Sequence, residues 1–281
     1  MITQSLGSLT ARLKEPFDFS FLAEWGEPFA VFDDQDSGNF CLGVEKEGCR
    51  RFLKIVGPRT VRGTVSPRDA VARLKSTVPV YGDLRHPVLV NLEVHGPIPG
   101  GYLLAFDWFD GACMGRMYGQ IERFLALPVG KKLELYSAIL DFHRHVNDSG
   151  YVAVDFYDGS VLYNFATRET RICDIEFYSR MPYINEMGRL WGSGRFMSPE
   201  EFTFGAAIDE RSNVFCMGAM AFFLFGNAGE DRSAGVWNAP APLYDVAAKA
   251  TLPNRAGRFP DIAAYMAAWN NAIAACAPVL Y

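Results

Sequence analysis

The chain has 281 residues, 49% hydrophobic and 21% charged, and 27 Lys plus Arg against 32 Asp plus Glu leave a formal charge of −5. That balance excludes a disordered or collagen-like chain and argues against a nucleic-acid partner, which asks for a basic surface. Six cysteines with no CxxC pair and only four histidines argue against a zinc knuckle or a disulfide framework, and a reducing cytoplasm fits best.

No stretch of about eighteen uncharged apolar residues occurs, so no membrane span is expected, and MITQSLGSLTARLK lacks the apolar core of a signal peptide. Residues 1–20 read as an irregular lead-in or a short helix. Phe29–Phe32, Phe40–Val44 and Arg51–Val56 read as short strands of a meander, with turns at Asp33–Asn39 (DDQDSGN) and Lys46–Cys49 (KEGC). Ser66-Pro67 marks a helix start, Val71, Leu74 and Val78 recur at helical spacing, and Pro79 ends the run. His86–Leu92 and Tyr102–Trp108 read as further strands around the Pro97–Gly101 turn. After Gly111 the composition changes. Helices are expected over 116–128 and 131–147, short alternating segments over 150–174, a buried helix from Asp209 to Phe225, and a closing helix striped by Ile262, Met266, Trp269 and Ile273.

The chemistry-bearing residues fall at the ends of short apolar runs. Lys54 alternates out of RRFLKIV, and by itself reads most simply as a snorkelling edge-strand lysine. Asp155 ends an apolar run in GYVAVDFYDGS, and Asp174 ends another in RICDIEF, with Glu176 two positions on. Carboxylates there can bind Mg²⁺ through oxygen or accept a hydroxyl proton. Asp158 in YDGS reads better as a turn residue. RFMSPEEF, at Arg195–Phe202, places a Ser-Pro-Glu turn ahead of the buried helix.

In this order the pieces resemble the protein-kinase-like superfamily, closest to the eukaryotic-type Ser/Thr kinases of bacteria, over residues 20–275. The resemblance implies an α+β, bilobal fold with a small antiparallel-sheet N-lobe and a larger helical C-lobe: 1–20 a lead-in, 21–111 the N-lobe and hinge, 112–281 the C-lobe. It implies that Lys54 contacts the α and β phosphates of ATP, that Asp155 orients the acceptor hydroxyl and takes its proton, and that Asp174 holds the metal. Gly38 and Gly43 stand for a poor glycine-rich loop. Phe106 resembles the gatekeeper, and the backbone of Asp107, Trp108 and Phe109 the adenine-reading hinge. His86-Pro87, His143, Pro199-Glu200 with Arg258 as its partner, and Asn213 as an anchor of the catalytic loop complete the pattern.

The departures are specific. Ser160 stands where the metal-binding asparagine would, with Asp158 or Asn164 as substitutes, and Tyr157 replaces a lysine. Glu176 replaces the glycine of the Asp-Phe-Gly triplet and adds a second candidate metal ligand. With Val154 in place of an arginine, a phosphate on Ser193 would lack its partner, so control by loop phosphorylation is not expected. The helix at 66–78 carries no glutamate, which leaves Asp69, or no helix carboxylate, for Lys54. The expected function is a Mg²⁺- (or Mn²⁺-) and ATP-dependent phosphotransferase acting on Ser/Thr hydroxyls of protein. The alternatives are a pseudokinase that senses nucleotide or binds protein, and a small-molecule kinase or AMP-transferase. Trp191 and Phe196 are either a partner surface or packing of the loop.

Overall fold

The computed structural model describes residues 1–35 and 37–280, with side chains through Cys276; Asp36, inside the expected 33–39 turn, lies outside the described residues. The architecture is α+β, with several antiparallel sheets and helices. Among the described residues no helix is long and apolar enough to cross a membrane. The chain divides into two compact units. The first comprises Met1–Arg85 and Val90–Phe109, the second His86–Leu89 and everything from Asp110 onward.

The first unit opens with a hairpin, β1 (Ile2–Leu6) and β2 (Leu9–Leu13), where the sequence led us to expect an irregular lead-in. Polar residues alternate with Leu6, Ala11 and Leu13, which are buried, and that period of two is what one-sided burial of a strand pair demands. Gly7 makes the turn at φ +60°. After a short helix, α1 (Leu22–Trp25), come β3 (Glu27–Phe32), β4 (Phe40–Lys46) and β5 (Cys49–Val56). With β6 (Leu92–Ile98) and β7 (Gly101–Asp107) they form an antiparallel sheet in the order β3-β4-β5-β7-β6. Phe40, Leu42, Val44, Leu53, Ile55, Leu103 and Ala105 join the β1–β2 hairpin and Phe19 in one core.

Alternation sends the intervening residues to the opposite face, where Lys54 pairs in register with Cys41 and Leu104, and Phe52 with Phe106. That face meets α2 (Pro67–Asp83), whose Tyr81 ring lies 5.0 Å from that of Phe106. Ser66 caps α2 by accepting from Asp69 N at 3.2 Å. The helix continues past Pro79, where we expected it to stop. Burial of Thr77, Val80 and Tyr81 offsets the one backbone bond a proline removes. The expected strand at His86–Leu92 is replaced by a ladder that begins at Leu92, and within the second unit Leu89 makes an isolated bridge to Ile172.

The second unit carries β8 (Ala112–Cys113), then a 3₁₀ turn and α3 (Ile121–Leu125) where one helix over 116–128 was expected. Gly119 at φ +68° separates the two pieces. The long α4 (Val129–Asp148) is followed by β9 (Tyr151–Val152), β10 (Val161–Tyr163), β11 (Thr170–Ile172), β12 (Ser179–Arg180), β13 (Tyr183–Ile184) and β14 (Ala207–Ile208). Then come α5 (Glu210–Phe225), α6 (Ala241–Ala250) and α7 (Ile262–Leu280). Helix α5 is apolar on all sides because its side chains from Ser212 to Phe225 are all buried. Tyr136 of α4 ties three helices together: its hydroxyl donates to Met217 O at 2.7 Å and accepts from Tyr265 at 2.7 Å, while its ring meets Trp269 edge-on.

Candidate functional site

The acidic residues singled out in the sequence gather at the ends of β9, β10 and β11. Asp155 follows β9 and is half-buried; Asp174 follows β11. Cys173 N donates to Ser160 O at 2.9 Å, so Ser160 and Asp174 occupy neighbouring ends of paired strands. Both aspartates have left-handed backbone, φ +63° at Asp155 and +60° at Asp174. Glu47, Arg168 and Ala228 share that conformation; the first two sit in the β4–β5 and β10–β11 turns, where it is usual, and Ala228 lies three residues past the end of α5. The two aspartates sit in no such turn, and the backbone there is held in a sparsely populated state by its surroundings.

Those surroundings are well defined. Asn213 Oδ1 accepts from Ala153 N at 2.8 Å, and its Nδ2 donates to Tyr151 O at 3.1 Å, which anchors the run into Asp155. His143 lies beneath, its ring 4.2 Å from that of Phe156. Its Nδ1 donates to Ile139 O at 2.8 Å, so its Nε2 accepts from the Tyr178 hydroxyl at 2.9 Å. Burial pushes this imidazole down to about 4 and keeps it neutral. Opposite Asp155 the chain passes at Gly192, φ +139°, where a Cβ would lie 3.5 Å from Asp155 Oδ1.

Tyr157 lies within electrostatic reach of both aspartates. Burial raises its pKa, and the nearby Asp174 and Asp155 carboxylates raise it further, so it remains a phenol. Its ring covers Gly159, where a Cβ would come within 2.4 Å of it. Cys113 donates to Gly159 O at 3.3 Å, and burial pushes its thiol up to about 12, which makes it unreactive.

Asp158, expected among the metal ligands, is engaged elsewhere. Arg195 Nη2 and Nη1 bind its two oxygens at 2.9 and 3.3 Å, and Arg116 N adds 3.3 Å. The buried Ser160 Oγ, by contrast, has no hydrogen-bond partner among the described residues. Asn164, the other substitute considered, donates to Asp110 O at 2.7 Å and accepts from Ala166 N and Thr167 N, as a loop residue does. Glu176 is half-buried next to the fully buried Ile175.

Among the described residues no three His, Cys, Asp or Glu side chains converge on one point. A preformed carboxylate cage is therefore not what these residues build. An oxygen set of Asp174 and the orphaned Ser160 hydroxyl does suit Mg²⁺, which takes one or two carboxylates and completes its shell with water and substrate phosphates.

In the first unit, Lys54 is 9% exposed on the α2 face of the sheet. Asp69, one of the two options for Lys54 on the helix, accepts from Ser66 Oγ at 2.7 Å. The two glycines expected to cradle phosphate are occupied by packing. A Cβ at Gly43 would meet Phe29 at 2.7 Å and Trp108 at 2.8 Å, and one at Gly38 would meet Gly63 at 2.9 Å. Phe106 is buried against Phe52 and Tyr81. Asp107 N donates to Asn91 O at 3.2 Å and Trp108 N to Arg50 O at 3.3 Å, so these two hinge N–H groups are already used; Phe109 is half-buried.

In the segment 185–202, Phe196 is core and Trp191 is half exposed. Nothing in the sequence marks Arg195 or Gly192, because a lone arginine and a lone glycine carry no pattern; only their three-dimensional neighbours do.

No protein-family model matches the chain, and no curated protein matches it either.

Proposed function

We propose that the chain is a Mg²⁺- and ATP-dependent phosphotransferase acting on Ser/Thr hydroxyls of protein. Asp155 is the group that orients the acceptor hydroxyl. Asp174 and Ser160 hold the metal, and Lys54 contacts the nucleotide phosphates. The observation that carries this reading is the pair Asp155 and Asp174, both left-handed outside any hairpin turn, both acting electrostatically on the same tyrosine. Backbone strain of about 1–3 kcal/mol per residue persists only where the fold imposes it, and such sites cluster where ligands are handled.

In this reading the acceptor oxygen attacks the γ-phosphorus in line, the bond to the β–γ bridging oxygen breaks, and ADP leaves. The acceptor proton passes to a carboxylate oxygen of Asp155. Mg²⁺ would supply charge neutralisation on the β and γ phosphates. Tyr157, kept protonated, contributes a neutral O–H where a cation would otherwise stand.

A second reading is a pseudokinase that senses nucleotide or binds protein. Gly43 supports it, since Phe29 and Trp108 fill the space a phosphate-facing glycine leaves open.

Thermal denaturation with ATP, with and without Mg²⁺ or Mn²⁺, separates the two. Metal-dependent stabilisation that Asp174→Asn abolishes supports the phosphotransferase, as does labelled-phosphate transfer that Asp155→Asn suppresses by at least about 100-fold while nucleotide binding stays. Absence of any shift at millimolar nucleotide favours the pseudokinase.

A further inference from the structure

Between Asp155 and Ser160 the chain makes a 3₁₀ turn at Asp158–Ser160. The turn has a charged hold on it that lies in neither the nucleotide chemistry nor the acceptor chemistry. Arg195 Nη2 donates to Asp158 Oδ1 at 2.9 Å and Nη1 to Oδ2 at 3.3 Å. The Asp158 side chain is 1% exposed and that of Arg195 18%.

The guanidinium is fixed on its other sides too. It lies 5.0 Å from the Phe196 ring and 5.4 Å from that of Phe223, on α5. Arg232 Nη2 donates to Arg195 O at 2.8 Å, and Arg232 itself lies over the Phe215 ring at 5.0 Å. Arg116 N closes the remaining side of Asp158 at 3.3 Å. Four stretches of chain, at 116, 158, 195 and 232, are thereby joined through one carboxylate and two arginines.

Relative to apolar filling, a buried ion pair is a poor stabiliser; its distinctive effect is to penalise every arrangement in which either partner is left unpaired. A bidentate arginine fork also fixes direction as well as distance. Here the arrangement selected is that of the turn three residues past Asp155 and two before Ser160.

We infer that Arg195 is a positioning residue. Through Asp158 it holds the 155–160 loop so that the Asp155 carboxylate and the Ser160 hydroxyl keep their places. The cation comes from the 185–202 segment itself, so the hold needs no phosphate on that segment. The kinetic part of this inference rests on the phosphotransferase reading; the structural part does not.

The test compares wild type with Arg195→Met, Arg195→Lys and Asp158→Asn in the full chain. Two quantities are measured: steady-state transfer, and amide hydrogen exchange across residues 155–160. Arg195→Met and Asp158→Asn are each expected to lower kcat about 100-fold, the scale of a misplaced catalytic group, with KM for ATP within about twofold. Arg195→Lys, which keeps the charge but loses the fork, recovers part of kcat. Exchange in the loop accelerates about 10-fold or more in the first two variants.

Unchanged exchange in a folded Arg195→Met protein overturns the inference whatever the activity. So does an unchanged kcat in both charge-removing variants of an active enzyme. A wild type that transfers no phosphate sinks the phosphotransferase reading alone, and exchange then decides the role of Arg195. If Arg195→Met does not fold, Asp158→Asn, which keeps the side-chain shape, decides by the same two measurements.

Discussion

Arg258 grips both oxygens of Glu200, Nη1 to Oε1 at 2.7 Å and Nη2 to Oε2 at 3.0 Å, with side chains 0% and 7% exposed. Its remaining donors are met by Leu252 O, Pro253 O and Arg211 O, and Ser212 Oγ gives Glu200 Oε1 a further bond at 2.8 Å. Burial alone would raise the Glu200 carboxyl; these hydrogen bonds outweigh it and hold it below its ordinary range.

Removing one partner leaves the other charged and buried. Glu200→Gln or Arg258→Met is expected to destabilise the protein by about 3–5 kcal/mol, read by urea unfolding. The double variant Glu200→Leu with Arg258→Met should recover part of that loss. A loss below about 1 kcal/mol in either single variant would show that water reaches the pair.

Glu201, the next residue, forms no ion pair among the described residues. Its Oε2 accepts from Ser198 N at 2.6 Å and from Ser198 Oγ at 2.8 Å, and its carbonyl accepts from Leu190 N and from Asn185 Nδ2. Burial pushes its carboxyl up to about 7 from an ordinary 4.5. The folded state then holds the proton more tightly than the unfolded chain. Stability therefore falls as pH rises from 4.5 to about 7, and the full penalty persists above that. Glu201→Gln removes the titration. It is expected to match wild type near pH 4.5 and to exceed it at pH 8 by at most about 3 kcal/mol. The difference between the two unfolding curves across this range is the measurement, and a constant difference would refute the assignment.

Lys132 on α4 is 2% exposed, and no acidic side chain pairs with it among the described residues. Burial lowers its pKa, so the unfolded chain binds the proton more tightly and this lysine costs stability below its ordinary range. Lys132→Met keeps the length of the side chain without the amine. It is expected to raise stability by about 1–2 kcal/mol at pH 7, checked by thermal and urea unfolding. A destabilised variant would mean that the amine has a polar partner in solution.

Much of the strand and helix content was legible because burial writes a period into the sequence. Phe40, Leu42 and Val44 alternate, as do Leu53 and Ile55, and those strands lie where the alternation puts them. Leu6, Ala11 and Leu13 carry the same period, but the polar residues between them obscure it, and the first hairpin was missed. Pro79 pointed to a helix end that local propensity favours and tertiary burial of Tyr81 overrides. The neighbourhood of Asp155 and Asp174 could be anticipated, since each ends a short apolar run. The roles of Asp158 and Gly43 could not, because each depends on what arrives from elsewhere in the chain: Arg195 at the one, Phe29 and Trp108 at the other.

By itself, then, the sequence determined the strands at β4 and β5, the buried helix α5 and which acidic residues end up near strand ends, since periodic burial and turn chemistry are local. Only the tertiary structure decided that Asp158 and Glu200 are each tied to an arginine. Ion pairing and close packing are set by distances in space between residues far apart along the chain, and no local pattern encodes them.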